Sequence, residues 1–229
     1  MQKKIVTLAL AATFALFTSG ARADDGANTV RMGVYLVHFD AKAGDISGPY
    51  VPPGLNIHPN NVATLYLAYV RTLSTHFNLE FAFGYPPLTK TEGRGPATLG
   101  SVPYNGQVIS TARWLSPSLV LNYVFGDANS RLRPYVGVGV NYTKFLSRQS
   151  TPAGNAASGG PTSITLPSSV GPTATAGLAY ELAENWHLFA SYSVAQVNSK
   201  LTANTAGVIR TSEIHFWPNT LVISLGYSF

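Results

Sequence analysis

Thr220-Leu-Val-Ile-Ser-Leu-Gly-Tyr-Ser-Phe229 alternates without a break. Leu221, Ile223, Leu225, Tyr227 and Phe229 fall on one face, and Thr220, Val222, Ser224, Gly226 and Ser228 on the other. A side-chain period of two belongs to a β-strand. The small, mostly polar face can look inward. The bulky apolar face then needs a greasy neighbour, and at the end of the chain the simplest one is lipid. Such a strand is expected in the wall of a transmembrane β-barrel.

The other end of the sequence fits that reading. Lys3 and Lys4 precede an apolar run from Ile5 to Phe17, and Ala21-Arg22-Ala23 follows as a small-x-small cleavage site. This is the order of a secretory signal. The apolar run is short for a membrane helix, which needs about 20 residues. The expected organisation is a cleaved signal at 1–23 and a single barrel domain at 24–229.

Cleavage removes Lys3, Lys4 and Arg22. The basic count falls from 15 to 12 against 10 acidic residues, so the net charge drops from +5 to +2. The high pI is largely a property of the signal and gives no ground for nucleic-acid binding. Charged residues make up 11% of the chain, against about 25% in ordinary soluble domains. No second apolar stretch reaches the length of a membrane helix. A chain poor in charge but without a helical span suits a barrel, where apolar residues occupy alternate positions. There are no cysteines, which excludes disulfides, zinc-thiolate sites and thiol nucleophiles.

Seven further segments alternate in the same way. The first turns Val30, Met32, Val34 and Leu36 outward and Arg31, Gly33 and Tyr35 inward. The second sets Leu65, Leu67 and Tyr69 against Thr64, Tyr66 and Ala68. The third sets Phe77, Leu79, Phe81, Phe83 and Tyr85 against Asn78, Glu80, Ala82 and Gly84. In the fourth, Leu119, Leu121, Tyr123 and Phe125 oppose Val120, Asn122 and Val124. In the fifth, Val136, Val138, Val140 and Tyr142 oppose Tyr135, Gly137, Gly139, Asn141 and Thr143. The sixth has Ala174, Ala176, Leu178 and Tyr180 outward, and the seventh Leu188, Ala190, Tyr192 and Val194. The inward residues of the seventh are His187, Phe189, Ser191 and Ser193.

The predicted fold is an all-β, eight-stranded antiparallel transmembrane barrel. Tyr and Phe close many of the apolar faces, as in the aromatic girdles at membrane interfaces. A soluble sandwich would carry charge on its outer face. Short connections near 72–76, 126–132 and 183–185 alternate with long ones near 40–61, 86–113, 147–172 and 199–216. That is the asymmetry of periplasmic turns and extracellular loops, and an even strand number leaves both termini in the periplasm. The long loops are rich in Gly, Pro, Ser and Thr and need not all be ordered.

The segment Phe125-Gly-Asp-Ala-Asn-Ser-Arg-Leu-Arg-Pro-Tyr-Val-Gly-Val-Gly-Val-Asn-Tyr-Thr-Lys-Phe145 resembles the hairpin characteristic of the outer membrane protein W (OmpW) family. Arg133-Pro134-Tyr135-Val136-Gly137, Gly139 and Asn141-Tyr142-Thr143 are its most specific part. Leu115-Ser116-Pro117-Ser118-Leu119, Glu184-Asn185-Trp186, Trp217-Pro218 and the terminal Gly226-Tyr227-Ser228-Phe229 match in order. The resemblance covers nearly the whole mature chain and is weakest in the long loops. It implies an eight-stranded barrel of the bacterial outer membrane with a narrow apolar lumen. It also implies passage of small hydrophobic molecules across the lipopolysaccharide layer, with release sideways into the bilayer. Leu115 and Pro117 are then candidates for a lateral opening, where Pro117 removes a ladder hydrogen bond. The family commonly has Leu-Pro-Pro where Leu115-Ser116-Pro117 stands. Apart from Phe189, the inward face of the seventh strand is small and polar.

The inward pattern nominates Tyr35, Tyr66, Glu80, Asn122, Tyr135, Gly137, Gly139, Asn141, Phe189 and Ser193 as lumen-lining. Gly137 and Gly139 are read as making room in a narrow barrel rather than as a nucleotide loop. Arg31 and Glu80 must pair or reach water. They either plug the periplasmic half or form a filter for an ionic solute, and plugging is favoured because side chains nearly fill an eight-stranded interior. Tyr227 and Phe229 are the expected signal to the barrel-assembly machinery. The five histidines show no metal-site spacing. His187 with Ser191 or Ser193 and Glu181 invites a hydrolase reading, but no G-x-S-x-G turn is present and no catalytic residue or cofactor is expected. The leading expectation is a passive channel for small hydrophobic solutes, surrounded by lipid and lipopolysaccharide. The alternatives are a non-transporting surface barrel that meets host or phage through its loops and, third, a lipid-modifying enzyme.

Overall fold

The computed structural model describes residues 28–39, 41–99 and 102–229. The expected signal, 1–23, lies outside the described residues. The alternating segments form eight antiparallel strands. They are β1 (Asn28–His38), β2 (Val62–Thr72), β3 (Phe77–Gly84), β4 (Ser118–Val124), β5 (Leu132–Ser150), β6 (Ser169–Ala183), β7 (Trp186–Ala195) and β8 (Asn219–Ser228). The order around the sheet is β4-β3-β2-β1-β8-β7-β6-β5, and β5 pairs back to β4. The sheet is therefore closed and has no free edge strand, so paired backbone groups are satisfied inside a medium without water.

Closure runs through the first and last strands, in register from Thr29 opposite Ser228 to His38 opposite Asn219. That register turns the terminal strand as its alternation requires. Val222 and Ser224 are 3% and 2% exposed, whereas Ile223 is 52% exposed. The outward positions of the other strands, Val138 and Leu188 among them, are likewise exposed and apolar. Among the described residues no helix is long and apolar enough to cross a membrane.

The three short turns lie at one rim with Asn28 and Phe229, whose backbones are hydrogen-bonded to each other. At the other rim lie the long connections, which the sequence leaves open as to order. Several carry strands of their own. Leu88–Arg94 pairs with Asn56–Pro59 and with Val108–Leu115, which in turn pairs with the top of β5. A second sheet comprises Thr162–Thr165, Val197–Thr205, Val208–Phe216 and Ala41–Ala43. A short helix, α1 (Pro152–Ser158), starts at Thr151, whose Oγ1 accepts from the Gly154 amide at 3.0 Å, and stops at Gly159 with φ 84°. These are an N-cap and a left-handed C-cap in their usual places. The barrel wall thus continues beyond its eight strands, around the main apolar core of the molecule. Val37, Phe39, Ile57, Trp114, Leu166, Val197, Ile214 and Phe216 form that core.

Candidate functional site: a charged floor, an apolar chamber and a seam

Alternation sends one side chain in two into the lumen, and a single charged pair closes its periplasmic part. Arg31 Nη1 lies 2.8 Å from Glu80 Oε2, and the two residues are 1% and 8% exposed. Further hydrogen bonds surround the pair. The Tyr66 hydroxyl donates to Glu80 Oε1 at 2.5 Å, and Asn122 Nδ2 donates to Glu80 Oε2 at 3.2 Å. Arg31 donates through Nε and Nη2 to Ser224 Oγ at 3.3 and 3.2 Å. Its guanidinium sits 4.1 Å from the centre of the Phe189 ring and 5.4 Å from that of Tyr66. Buried charges need this degree of pairing, because desolvation otherwise exceeds their mutual attraction. Gly226 makes the stack possible, since a Cβ there would meet Phe189 Cε2 at 2.6 Å. Gly137 similarly leaves room for Asn122, whose Oδ1 would lie 2.0 Å from an added Cβ.

Beyond this floor the lumen opens into a chamber bordered by Tyr35, Tyr66, Glu80, Asn141 and Ser193 among the residues nominated from sequence. Asn122, Tyr135 and Phe189 are gathered around the ion pair instead. Gly139 faces the Leu119 backbone, leaving no room for a side chain. The upper chamber is apolar. Phe39 meets Trp114 edge-on at 6.0 Å and Phe216 at 6.2 Å, and Trp114 Nε1 donates to Thr89 Oγ1 at 2.8 Å. Trp114 and Phe216 are not among the residues that the inward pattern nominates: Phe216 ends the connection 199–216, and Trp114 lies between the connection 86–113 and the fourth alternating segment. Inward alternation around Trp114 was the available signal.

One side of the chamber wall is incompletely paired. β3 and β4 are in register only up to Ala82 opposite Ser118. Pairing resumes with Leu88 opposite Arg113, one residue out of step. Among the described residues no backbone hydrogen bond joins 85–87 to 116–117. Pro86 and Pro87 have no N–H to give, and the Tyr85 amide bonds the other way, to the Leu65 carbonyl. The Arg113 side chain spans the seam, donating to the Pro86 carbonyl at 2.8 Å. Phe83, on the outward register, borders the chamber here. The role of Pro117 differs from the sequence expectation. Its carbonyl accepts from the Tyr142 amide, so its missing N–H belongs to the ladder with β5, not to the seam. Asn141 compensates on that side. Its Nδ2 donates to Ser116 Oγ and Ser118 Oγ, both at 2.9 Å, and its Oδ1 accepts from Ser116 and Thr143 at 3.0 and 2.8 Å. Leu115 faces away from the lumen, the neighbour of the inward-pointing, buried Trp114.

The geometry does not assemble a hydrolytic centre. His187 and Ser191 are four residues apart on β7, roughly 13 Å along an extended strand, and Ser193 is farther. A general base must sit within about 3 Å of its nucleophile. His187 instead lies against the Phe189 ring at 6.1 Å. Among the described residues no group of three or more potential metal ligands gathers.

A closed eight-stranded barrel with an apolar exterior, aromatic residues near both rims and a plugged floor defines an outer-membrane β-barrel. The OmpW family profile matches residues 24–229, and the chain belongs to the OmpW family. Outer membrane protein W of Vibrio cholerae is 30% identical over 175 residues, 76% of each chain. The dibenzothiophene metabolism operon protein PahQ of Pseudomonas aeruginosa is 33% identical over 129 residues, covering 54% of this chain and 55% of its own. The crystal structure of the outer membrane protein OprG from Pseudomonas aeruginosa superposes with a TM-score of 0.79 at 22% identity, covering 90% of this chain and 97% of that one. The protein is thus a barrel of the outer membrane, set among its lipid and lipopolysaccharide.

Proposed function

We propose that this barrel is a passive conduit for small hydrophobic molecules. The observation that carries the reading is the apolar chamber beside an unpaired seam and above a sealed floor. A solute entering from outside meets Phe39, Trp114 and Phe216, finds the straight route closed by Arg31 and Glu80, and leaves sideways through the seam near Leu115 and Pro117. The nominated inward residues Tyr35, Tyr66, Asn141 and Ser193 line its path. Asn122, Tyr135 and Phe189 hold the floor, Gly137 leaves room for Asn122, and Gly139 lets the wall strands approach closely. PahQ, a relative named for dibenzothiophene metabolism, is consistent with apolar cargo. Outward Tyr227 and Phe229 serve as the terminal signal to the barrel-assembly machinery.

Whole-cell uptake tests the reading. Cells expressing the chain and a cytoplasmic enzyme that consumes a hydrophobic substrate should convert it faster than cells with an empty vector or an unrelated eight-stranded barrel. The advantage should vanish on lysis. Equal rates across several substrates, with the protein confirmed in the outer membrane, would shift the assignment to a surface-contact barrel acting through its loops. Pro86→Ala restores a donor on the side of the seam, where the Pro86 carbonyl already meets Arg113, and is expected to lower uptake by roughly threefold, the value of one net hydrogen bond. An unchanged rate counts against sideways release.

A further inference from the structure

One wall of the chamber presents lone pairs but no protons. Thr173 Oγ1 donates to the Val194 carbonyl at 2.9 Å, and Thr175 Oγ1 to the Tyr192 carbonyl at 3.3 Å. Ser193 Oγ donates to Thr175 Oγ1 at 2.8 Å. A carbonyl can only accept, so the direction of the first two bonds is fixed. With its proton committed, Thr175 can only accept from Ser193. A hydroxyl has one proton and two lone pairs, so all three protons are spent while unused lone pairs face the cavity they border. Thr173 lies opposite Ala195, and Val197, two residues on in sequence, belongs to the apolar core. The indole N–H of Trp114, in the apolar core, is already held by Thr89.

We infer that the chamber selects amphipathic solutes with an apolar or aromatic body and a hydroxyl or amine donor at one end. The body lies against Phe39 and Trp114, and the donor points down to the wall of Thr173, Thr175 and Ser193. A donor entering a dry lumen loses its water partners, a loss that is large when nothing replaces them. This wall replaces them. A methylated head brings only lone pairs to meet lone pairs and gains nothing. The inference deepens the conduit reading and rests on it for its biological meaning, but binding alone is enough to test it.

The probes are 2-naphthol, 2-methoxynaphthalene and naphthalene, which share one body and differ in the head. Equilibrium dialysis against the full barrel in nanodiscs, corrected for partition into empty nanodiscs, gives affinities. Uptake by whole cells is measured in parallel. Wild type is expected to bind 2-naphthol about fivefold more tightly than its methyl ether, the effect of one hydrogen bond. The combined Thr173→Val, Thr175→Val and Ser193→Ala variant should lose that preference and keep naphthalene binding. A Thr173→Ser, Thr175→Ser variant, which retains the hydroxyls, should keep both. Resistance of each variant to unfolding on an unheated gel confirms the barrel. Equal binding of naphthol and ether by wild type, or a preference that survives in the triple variant, overturns the inference. Selective binding without uptake of any probe instead sinks the conduit reading and leaves the selectivity standing.

Discussion

The two halves of the lumen solve the same packing problem with opposite chemistry. The periplasmic half is filled by a buried ion pair whose hydrogen-bonding groups find partners in Tyr66, Asn122, Ser224 and the Phe189 ring. The extracellular half is bordered by aromatic and aliphatic side chains that leave a cavity. The floor stands on the eight barrel strands, whereas most of the apolar lining comes from the extracellular segments that continue the wall. The difference lies in what would follow from removing a side chain. Below, one deletion leaves a charge stranded. Above, it enlarges a space that is already there.

That contrast can be broken most directly at Glu80. Glu80→Ala leaves Arg31 buried and unpaired, and the expected loss of stability is about 3–5 kcal/mol, read from urea titration in lipid vesicles. Adding Arg31→Met should recover most of it. If Glu80→Ala is neutral, the floor is wetter than its exposure indicates. In the chamber, Trp114→Ala should cost about 3 kcal/mol or more by core-truncation precedent, but the loss should be local. Hydrogen exchange is expected to rise in Leu88–Arg94 and Val108–Leu115 and stay slow in β1 and β8. Uniform loosening would erase the distinction between the halves.

Asn141 sits at the join between them. Asn141→Ala removes the side chain that binds Ser116 and Ser118, at an expected cost of about 1–3 kcal/mol, and should speed exchange of the Tyr142 amide first. The smallest effect is expected outside the membrane, at Tyr104. Burial pushes its hydroxyl up to about 12. The folded state holds that proton more tightly than an unfolded tyrosine near 10 does, so its contribution is complete below pH 10 and is lost as pH rises through 12. Tyr104→Phe should flatten that alkaline decline of extracellular protection, measured by limited proteolysis.

The eight wall strands were legible because each alternates long enough to fix both its type and its faces. Leu221, Ile223 and Leu225 have no other consistent reading. The ion pair was legible too, since Arg31 and Glu80 are inward charges in a region nearly free of charge. The extracellular strands were not. Asn56–Pro59 and Thr162–Thr165 are four residues each, rich in Pro, Ser and Thr, and they become strands only because neighbouring chain supplies a ladder. The seam was half visible. Pro117 stands out in the sequence, but register decides which neighbour loses a hydrogen bond, and Pro86-Pro87 across the gap falls in a connection without alternation. The separation of His187 from Ser191 follows from strand rise alone.

β5 runs for 19 residues without interruption of its pairing to β6 from Leu132 to Thr143. Across it, Val108–Leu115 and β4 attach to the same strand above and below Pro117. The strand therefore acts as a spine. Any widening of the seam has to be taken up by the flap on the far side, where Pro86 and Pro87 interrupt the wall, while the spine and the strands behind it stay fixed. A pull on the extracellular sheets is thereby delivered to one edge of the barrel, as a door transmits force to its latch and leaves the hinge post standing.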